Sequence, residues 1–189
     1  MNQDATLAPQ EPEVEAHHFA DDGSIPNNPT LPLLIYGGVL DLTGADAAAK
    51  CIERFAAHGW HGAWRNGIFL FPHYHSTAHE VLGICQGEAK VRLGGDHGVV
   101  ITVNSGDALV LPAGTGHQNL GSSPDLLVVG AYPGGMDWDL CRGEPGVRED
   151  ELRNIQAVPL LENDPLFGHD GPLMHLWRPS ARYSGMPAA

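Results

Sequence analysis

His73 and His75, one residue apart, Glu80 just beyond them, and His117 further on are the residues whose types and spacing could do chemistry here. Imidazole nitrogens and a carboxylate oxygen suit a divalent transition metal ion, Mn, Fe, Co, Ni, Cu or Zn, and without a thiolate they do not select among these. On an extended strand successive side chains alternate between faces. His73 and His75 therefore point one way with Phe69 and Phe71, while Tyr74 points the other. On the following strand Glu80 shares a face with Leu82 and Ile84, and His79 shares the opposite one with Val81 and Cys85. If the first of these faces meets the core, Glu80 is the inward ligand; because both faces are apolar, His79 is kept in reserve. Pro112, Gly114 and Gly116 make a tight turn that delivers His117 to the start of a strand. Asn119 shares the face of His117 and is assigned a contact to substrate or behind the ligands.

A site of this kind needs paired strands to hold it. From Gly67 onward, short apolar runs predict strands at Ile68–His75, His79–Gln86, Ala89–Leu93, Val99–Val103, Ala108–Pro112, Gly116–Leu120 and Leu126–Tyr132, with GGDHG, NSGD, PAGTG and SSPD as turns. Such spacing favours an antiparallel barrel or sandwich. Upstream, Asp46–His58 predicts a helix, capped by Thr43 or Asp41, stopped by Gly59 and striped by Ala48, Ile52, Phe55 and Ala56. Before it, DGSIPNNPTLPLLIYGG sets an extended path into a strand at Leu33–Leu40, placed on a sheet edge or exchanged with a second subunit. Trp60 and Trp64 read as packing. Tyr132, Asp137 and Trp138 follow the last strand and edge the barrel mouth. PGGMDWDLCRGEPG reads as loop, Val147–Ala157 as a short helix, and DPLFGHDGPLMHLW as apolar anchors across the barrel wall. The expected organisation is a flexible acidic tail at 1–16, an N-terminal embellishment at 17–66, the barrel core at 67–132, and a C-terminal loop, helix and covering tail of the same domain at 133–189.

The chain of 189 residues fits one domain. Its apolar residues, 42% of the total, fall in short runs, none near the ~20 needed to span a bilayer as a helix. Formal charge is -13, from 23 acidic against 10 basic residues, and no basic block could neutralise a row of phosphates. Nucleic acid and membrane are therefore not expected partners; a small molecule is. The opening residues show no basic end followed by an apolar stretch, which makes the cytoplasm the expected compartment. Cys51, Cys85 and Cys141 form no CxxC pair and are expected as buried free thiols. His17, His18 and His97 read as solvated, His169 and His175 as packing.

The spacing of Gly67, His73, His75, Glu80 and Gly87, and of Gly106, Pro112, Gly114 and His117, resembles the two motifs of the cupin superfamily. Gly121 stands where the family carries asparagine, and Asn119 is the nearest one. A closer resemblance, in DGSIPNNPTLPLLIY, HYHSTAHEVLG, PAGTGHQNLG and DPLFGHDGPL, is to the small bacterial single-domain cupins called YjlB-like. The resemblance implies an all-β double-stranded β-helix (jelly-roll barrel), one metal ion held by His73, His75, Glu80 and His117, and a homodimer. Three histidines and one glutamate on a six-coordinate ion leave two adjacent positions for a chelating molecule, or for a substrate oxygen beside dioxygen. The expected function is thus a dioxygenase-like oxidoreductase acting on a small oxygenated molecule. The alternatives are a redox-silent isomerase or lyase, assisted by His79, Glu80 or Asn119, and a non-catalytic small-molecule-binding cupin.

Overall fold

The computed structural model describes residues 12–178. In chain order its elements are β1 (Val14–His17), β2 (Leu33–Tyr36), α1 (Ala47–Ala57), β3 (Trp60–Asn66), β4 (Glu80–Gln86), β5 (Glu88–Leu93), β6 (Val99–Asn104), β7 (Ala108–Leu111), β8 (His117–Ser122), β9 (Leu127–Pro133), α2 (Arg148–Ala157) and α3 (Pro172–Leu176). They build a six-stranded sheet, β1-β2-β7-β4-β9-β3, and a three-stranded sheet, β6-β5-β8, antiparallel throughout. This is the all-β jelly-roll sandwich expected from the sequence.

The burial of the strands explains why their apolar patterns differ. Leu33, Ile35, Leu82, Ile84, Leu109 and Leu111 point from the large sheet toward Val91, Leu93 and Val103 of the small one. The opposite face of the large sheet, with Leu34, Tyr36, Val81, Val110 and Val129, is covered by Cys51 and Phe55 of α1 and by Leu166, Leu173 and Trp177. A sheet covered on both sides reads as a continuous apolar run, as in LLIY of β2. β5, with one face in water, alternates instead. Gly83 lets α1 close on β4: a Cβ there would stand 2.5 Å from Cys51 Sγ and 3.1 Å from the Phe55 ring.

Capping of α1 falls to Asp46, whose carboxylate accepts the Ala49 N–H at 2.9 Å, a contribution of about 1 kcal/mol. The expected caps are engaged elsewhere, Thr43 donating to Asp41 through both its N–H and its hydroxyl. At the C-terminal end Asp164 is fully buried and accepts the Tyr36 hydroxyl at 2.7 Å, the Leu166 N–H at 2.8 Å and the Leu173 N–H at 3.1 Å. A buried carboxylate with that many donors does not bear an uncompensated desolvation cost. Trp177 donates its indole N–H to Pro32 O at 2.9 Å, fastening the last helix to the sheet.

Several expectations are corrected. Of the segment read as a flexible tail, 1–11 lies outside the described residues, and Val14–His17 forms β1, paired with β2. β2 consequently lies between β1 and β7, so Leu33–Leu40 is no edge, and its strand stops at Tyr36 before two glycines. Ile68–His75 is not a strand either. Pro72 has no N–H to give a ladder, and only isolated bridges at His73 and Tyr74 remain. The strand in its place is β3, whose irregularity between His61 and Trp64 hides the alternation. Cys51, Cys85 and Cys141 are buried and free, as expected. Among the described residues no helix is long and apolar enough to cross a membrane.

Candidate metal centre

The backbone brings the ligands together by stitching residues 73–75 on both sides. His73 and His117 face each other in an antiparallel bridge, with His117 N–H to His73 O at 2.9 Å and His73 N–H to His117 O at 3.2 Å. Their ring centroids are 3.9 Å apart. On the other side Tyr74 exchanges two hydrogen bonds of 3.0 Å with Cys141, and His75 O accepts the Gly114 N–H at 2.8 Å. The alternation read from the sequence survives in this short piece: Tyr74 turns outward to donate its hydroxyl to Glu151, while His73 and His75 turn inward. Glu80, the first residue of β4, sits opposite Leu111 of β7 and enters from the large sheet.

His73, His75 and His117 are buried and present ligand atoms within 4.8 Å of one another. The Nδ1 of each lies against a backbone carbonyl: Phe71 O at 3.1 Å for His73, Thr115 O at 3.2 Å for His117, and Asp139 O for His75. A carbonyl only accepts, so each Nδ1 carries hydrogen and, in the neutral ring, each Nε2 keeps a lone pair. Glu80 Oε2 lies 3.4 Å from His75 Nε2 and 3.5 Å from His117 Nε2, and is buried without a hydrogen-bond partner. Its other oxygen accepts the Tyr132 hydroxyl at 2.7 Å, and the Tyr132 oxygen in turn accepts the Trp64 indole N–H at 2.8 Å. Three imidazoles with their donors turned outward, facing a carboxylate oxygen that no donor satisfies, form a set that fits a divalent transition ion.

Charge in the centre follows from burial and proximity. Burial pushes His117 down to about 3, with the neighbouring His73 adding to the effect, and burial likewise lowers His73. Burial alone would raise Glu80, but the charge of His75, with that of His117, outweighs it and holds the carboxyl below its usual range. His75 is the reverse case: burial opposes its charge, and the Glu80 carboxylate wins and raises it. The Glu80 carboxylate thus favours positive charge beside it, which a divalent cation would also supply.

Not every residue singled out by sequence belongs here. His79 faces the other side of β4, where its Nδ1 accepts the Ala113 N–H at 2.9 Å and its ring lies 4.8 Å from that of Trp177. It braces the turn ahead of His117, and burial lowers it to about 4. Asn119 is buried on the face of His117 as expected, yet its amide is spent locally, accepting the Gly121 N–H at 2.8 Å and donating to Ser122 Oγ at 3.3 Å. It does not line the cavity, and neither does Asp137. Trp64, read as packing, does line it and also anchors Tyr132. Asp139, unread in the sequence, holds His75 through its carbonyl, while its carboxylate accepts the N–H groups of Ser76 at 2.6 Å and Thr77 at 3.2 Å.

The ligands lie in a cavity of about 370 Å³ whose walls include Trp64, Ile68, Phe69, Leu82, Tyr132 and Trp138, with Arg65 and Asn66 also contributing. Trp138 stacks on Tyr132 with centroids 5.8 Å apart and meets the His75 ring edge-on at 5.0 Å. Both terminal nitrogens of Arg65 lie 3.1 Å from the same Asp46 oxygen. Glycine at 130 makes room for Trp64, since a Cβ there would come within 2.2 Å of the indole.

Comparison with known proteins bears on the family. A cupin family model matches residues 64–132. The uncharacterized protein YjlB of Bacillus subtilis (strain 168) is 44% identical over 167 residues, covering 88% of this chain and 98% of that protein. Among solved structures, acireductone dioxygenase from Bacillus anthracis, with a cadmium ion in its active centre, matches with a TM-score of 0.37 at 17% identity over 68% of this chain and 82% of that one. WlaRA, a TDP-fucose-3,4-ketoisomerase from Campylobacter jejuni, matches with a TM-score of 0.35 at 14% identity over 41% of this chain, which spans 63% of its length. Likenesses this distant carry no argument about activity.

Proposed function

The chain belongs to the cupin superfamily, in the group of Bacillus subtilis YjlB, and on that premise we propose that it is a metal-dependent oxidoreductase, dioxygenase-like, acting on a small oxygenated molecule. His73, His75, His117 and Glu80 hold one divalent ion of the series Mn, Fe, Co, Ni, Cu or Zn. The observation that carries this reading is the buried Glu80 Oε2, unsatisfied by any donor and aimed at imidazoles whose Nδ1 hydrogens are all committed to carbonyls. When bound, such an ion supplies Lewis acidity or redox chemistry.

The chain's own residues supply geometry and exclusion of water. Carbonyls of Phe71, Thr115 and Asp139 fix the rings, so little reorganisation is needed when the ligands engage. Tyr132 holds Glu80 by one oxygen and leaves the other toward the imidazoles. The aromatic walls set apolar surface beside the polar cluster, where water displaced by a bound molecule would strengthen its electrostatics.

The redox-silent isomerase or lyase reading is less well supported, because it needs a free acid or base beside the substrate. Of the ionisable side chains lining the cavity other than the four ligands, Tyr132 is committed to Glu80 and Trp64, and Arg65 to Asp46. His79 faces the other side of its strand. Metal analysis of untagged protein after reconstitution tests the ligand set; substoichiometric metal overturns it. Oxygen consumption by iron-loaded protein with a panel of small diols and hydroxyketones tests the reaction class, and turnover unchanged by removing oxygen overturns the dioxygenase reading.

A further inference from the structure

Polar and apolar groups are unevenly shared in the cavity, and this bears on what it admits. Its charged and lone-pair groups are the clustered histidines and Glu80, with Arg65 and Asn66 beside them. Elsewhere its principal walls are apolar or aromatic. Phe69 stands edge-on to His73 with centroids 5.0 Å apart, and Trp138 stands edge-on to His75 at the same distance. Two aromatic rings thus adjoin each member of the histidine pair, Phe69 and Phe71 at His73, Tyr132 and Trp138 at His75. Phe69 and Trp138 remain 43% exposed, a large apolar area at the cavity that nothing else in the described residues covers. The Tyr132 hydroxyl has already donated to Glu80 and accepted from Trp64.

Charge narrows the class further. Arg65 is the one cationic side chain in the lining apart from the histidines, and Asp46, itself the cap of α1, neutralises it. A phosphate or a second carboxylate would find only Arg65, already paired with Asp46, and the Asn66 amide, and a charge set against the apolar walls without a full partner is unfavourable. The volume of about 370 Å³ corresponds to roughly a dozen waters at about 30 Å³ each, enough for one ring or a small fused pair.

Resting on the metal-site reading above, we infer that the ligand is a flat aromatic or conjugated molecule bearing two adjacent oxygens on one edge and no phosphate or second carboxylate, its body set against Phe69 and Trp138 and its oxygens at the histidine cluster. The walls select the flat body, and the metal-site reading supplies the oxygen pair.

The test uses zinc-loaded full-length protein and calorimetric titration with three probes: tropolone, a flat chelator through adjacent oxygens; lactate, which has an adjacent oxygen pair without a flat body; and phosphoglycolate. Trp138→Ala is expected to weaken tropolone at least tenfold and leave lactate within twofold, with Phe69→Ala acting in the same direction. Phosphoglycolate is expected to bind no better than lactate. Equal losses for tropolone and lactate, no loss of tropolone in either variant, or tighter binding of phosphoglycolate than of lactate overturns the inference while leaving the metal site intact. Failure to load one zinc per chain overturns the metal-site reading itself, and this inference falls with it. Both substituted side chains are half exposed, so the variants retain the fold, as circular dichroism would verify.

Discussion

Replacing Tyr132 by phenylalanine isolates one oxygen atom. In the folded protein that oxygen donates to Glu80 Oε1 at 2.7 Å and accepts from Trp64 Nε1 at 2.8 Å. Glu80 is buried, its side chain 3% exposed, so water cannot readily substitute. A hydrogen bond to a charged group is worth about 1.5–3 kcal/mol. Trp64 is only half buried and its N–H can turn to solvent, so the larger part of the loss falls on Glu80. The metal-free variant is therefore expected to lose about 2–3 kcal/mol in urea denaturation, with an unchanged denaturant slope if the denatured state is unaffected. Without the hydroxyl, Glu80 is also free to rotate away from the imidazoles. Removing such an outer partner of a ligand typically costs 10–100-fold in metal affinity, about 1.4–2.8 kcal/mol. Zinc competition titration at neutral pH reads this directly. An affinity within twofold of the parent would refute the claim that Tyr132 sets the orientation of Glu80.

His79→Gln keeps an acceptor for the Ala113 N–H but removes a titrating group. Burial depresses His79 to about 4, below an unfolded value near 6.5, so the unfolded chain binds the extra proton first. The resulting stability is present above pH 6.5 and lost as pH falls toward 4, about 3 kcal/mol at most. Denaturation of metal-free protein across that window should show a shallower slope in the variant; an identical slope would count against a neutral buried His79. Gly130→Ala should displace the Trp64 ring, which a Cβ would meet at 2.2 Å, costing about 1–3 kcal/mol by overpacking and shifting tryptophan emission; an unchanged midpoint and spectrum would refute the close approach. Asp139→Asn should flatten the stability profile below about pH 4. Burial alone would raise this carboxyl, yet donors led by Ser76 hold it low, so its contribution is lost only as pH falls through the depressed value. We further propose a homodimer formed through β1, one of the two edges of the large sheet among the described residues; a monomeric mass by light scattering would overturn it.

The convergence of His73 and His75 on one face was legible because its signal is local. Spacing of one residue on extended backbone turns His73 and His75 the same way whether or not a full strand forms around them. Choosing Glu80 over His79 was harder, since both faces of β4 are apolar, and only the covering by α1 and Trp177 makes the outer face a core of its own. Tyr132 and Asp139 were not legible as supports, because they reach Glu80 and His75 from 52 and 64 positions away, and no local pattern encodes such pairings. β3 was missed because the irregularity between His61 and Trp64 breaks its period of two. Asn119 was placed on the correct face but not in its role, since the glycine two residues on offers an N–H close enough to capture its side chain.

The order of strands in the large sheet has a consequence for how the chain is made. β2 lies between β1 and β7, and Leu34 pairs with Val110, so on that side its partner emerges from the ribosome long after it does. Until then LLIY is a run of four apolar residues of high β propensity with an open edge, the kind of segment that adds to like segments on other chains. Pro29 and Pro32 stand before it and Gly37 and Gly38 after it, and prolines and glycines limit how far such an edge can extend. Residues of this kind on both flanks would limit such pairing in the interval before β7 arrives, a consequence separate from anything they do in the finished fold.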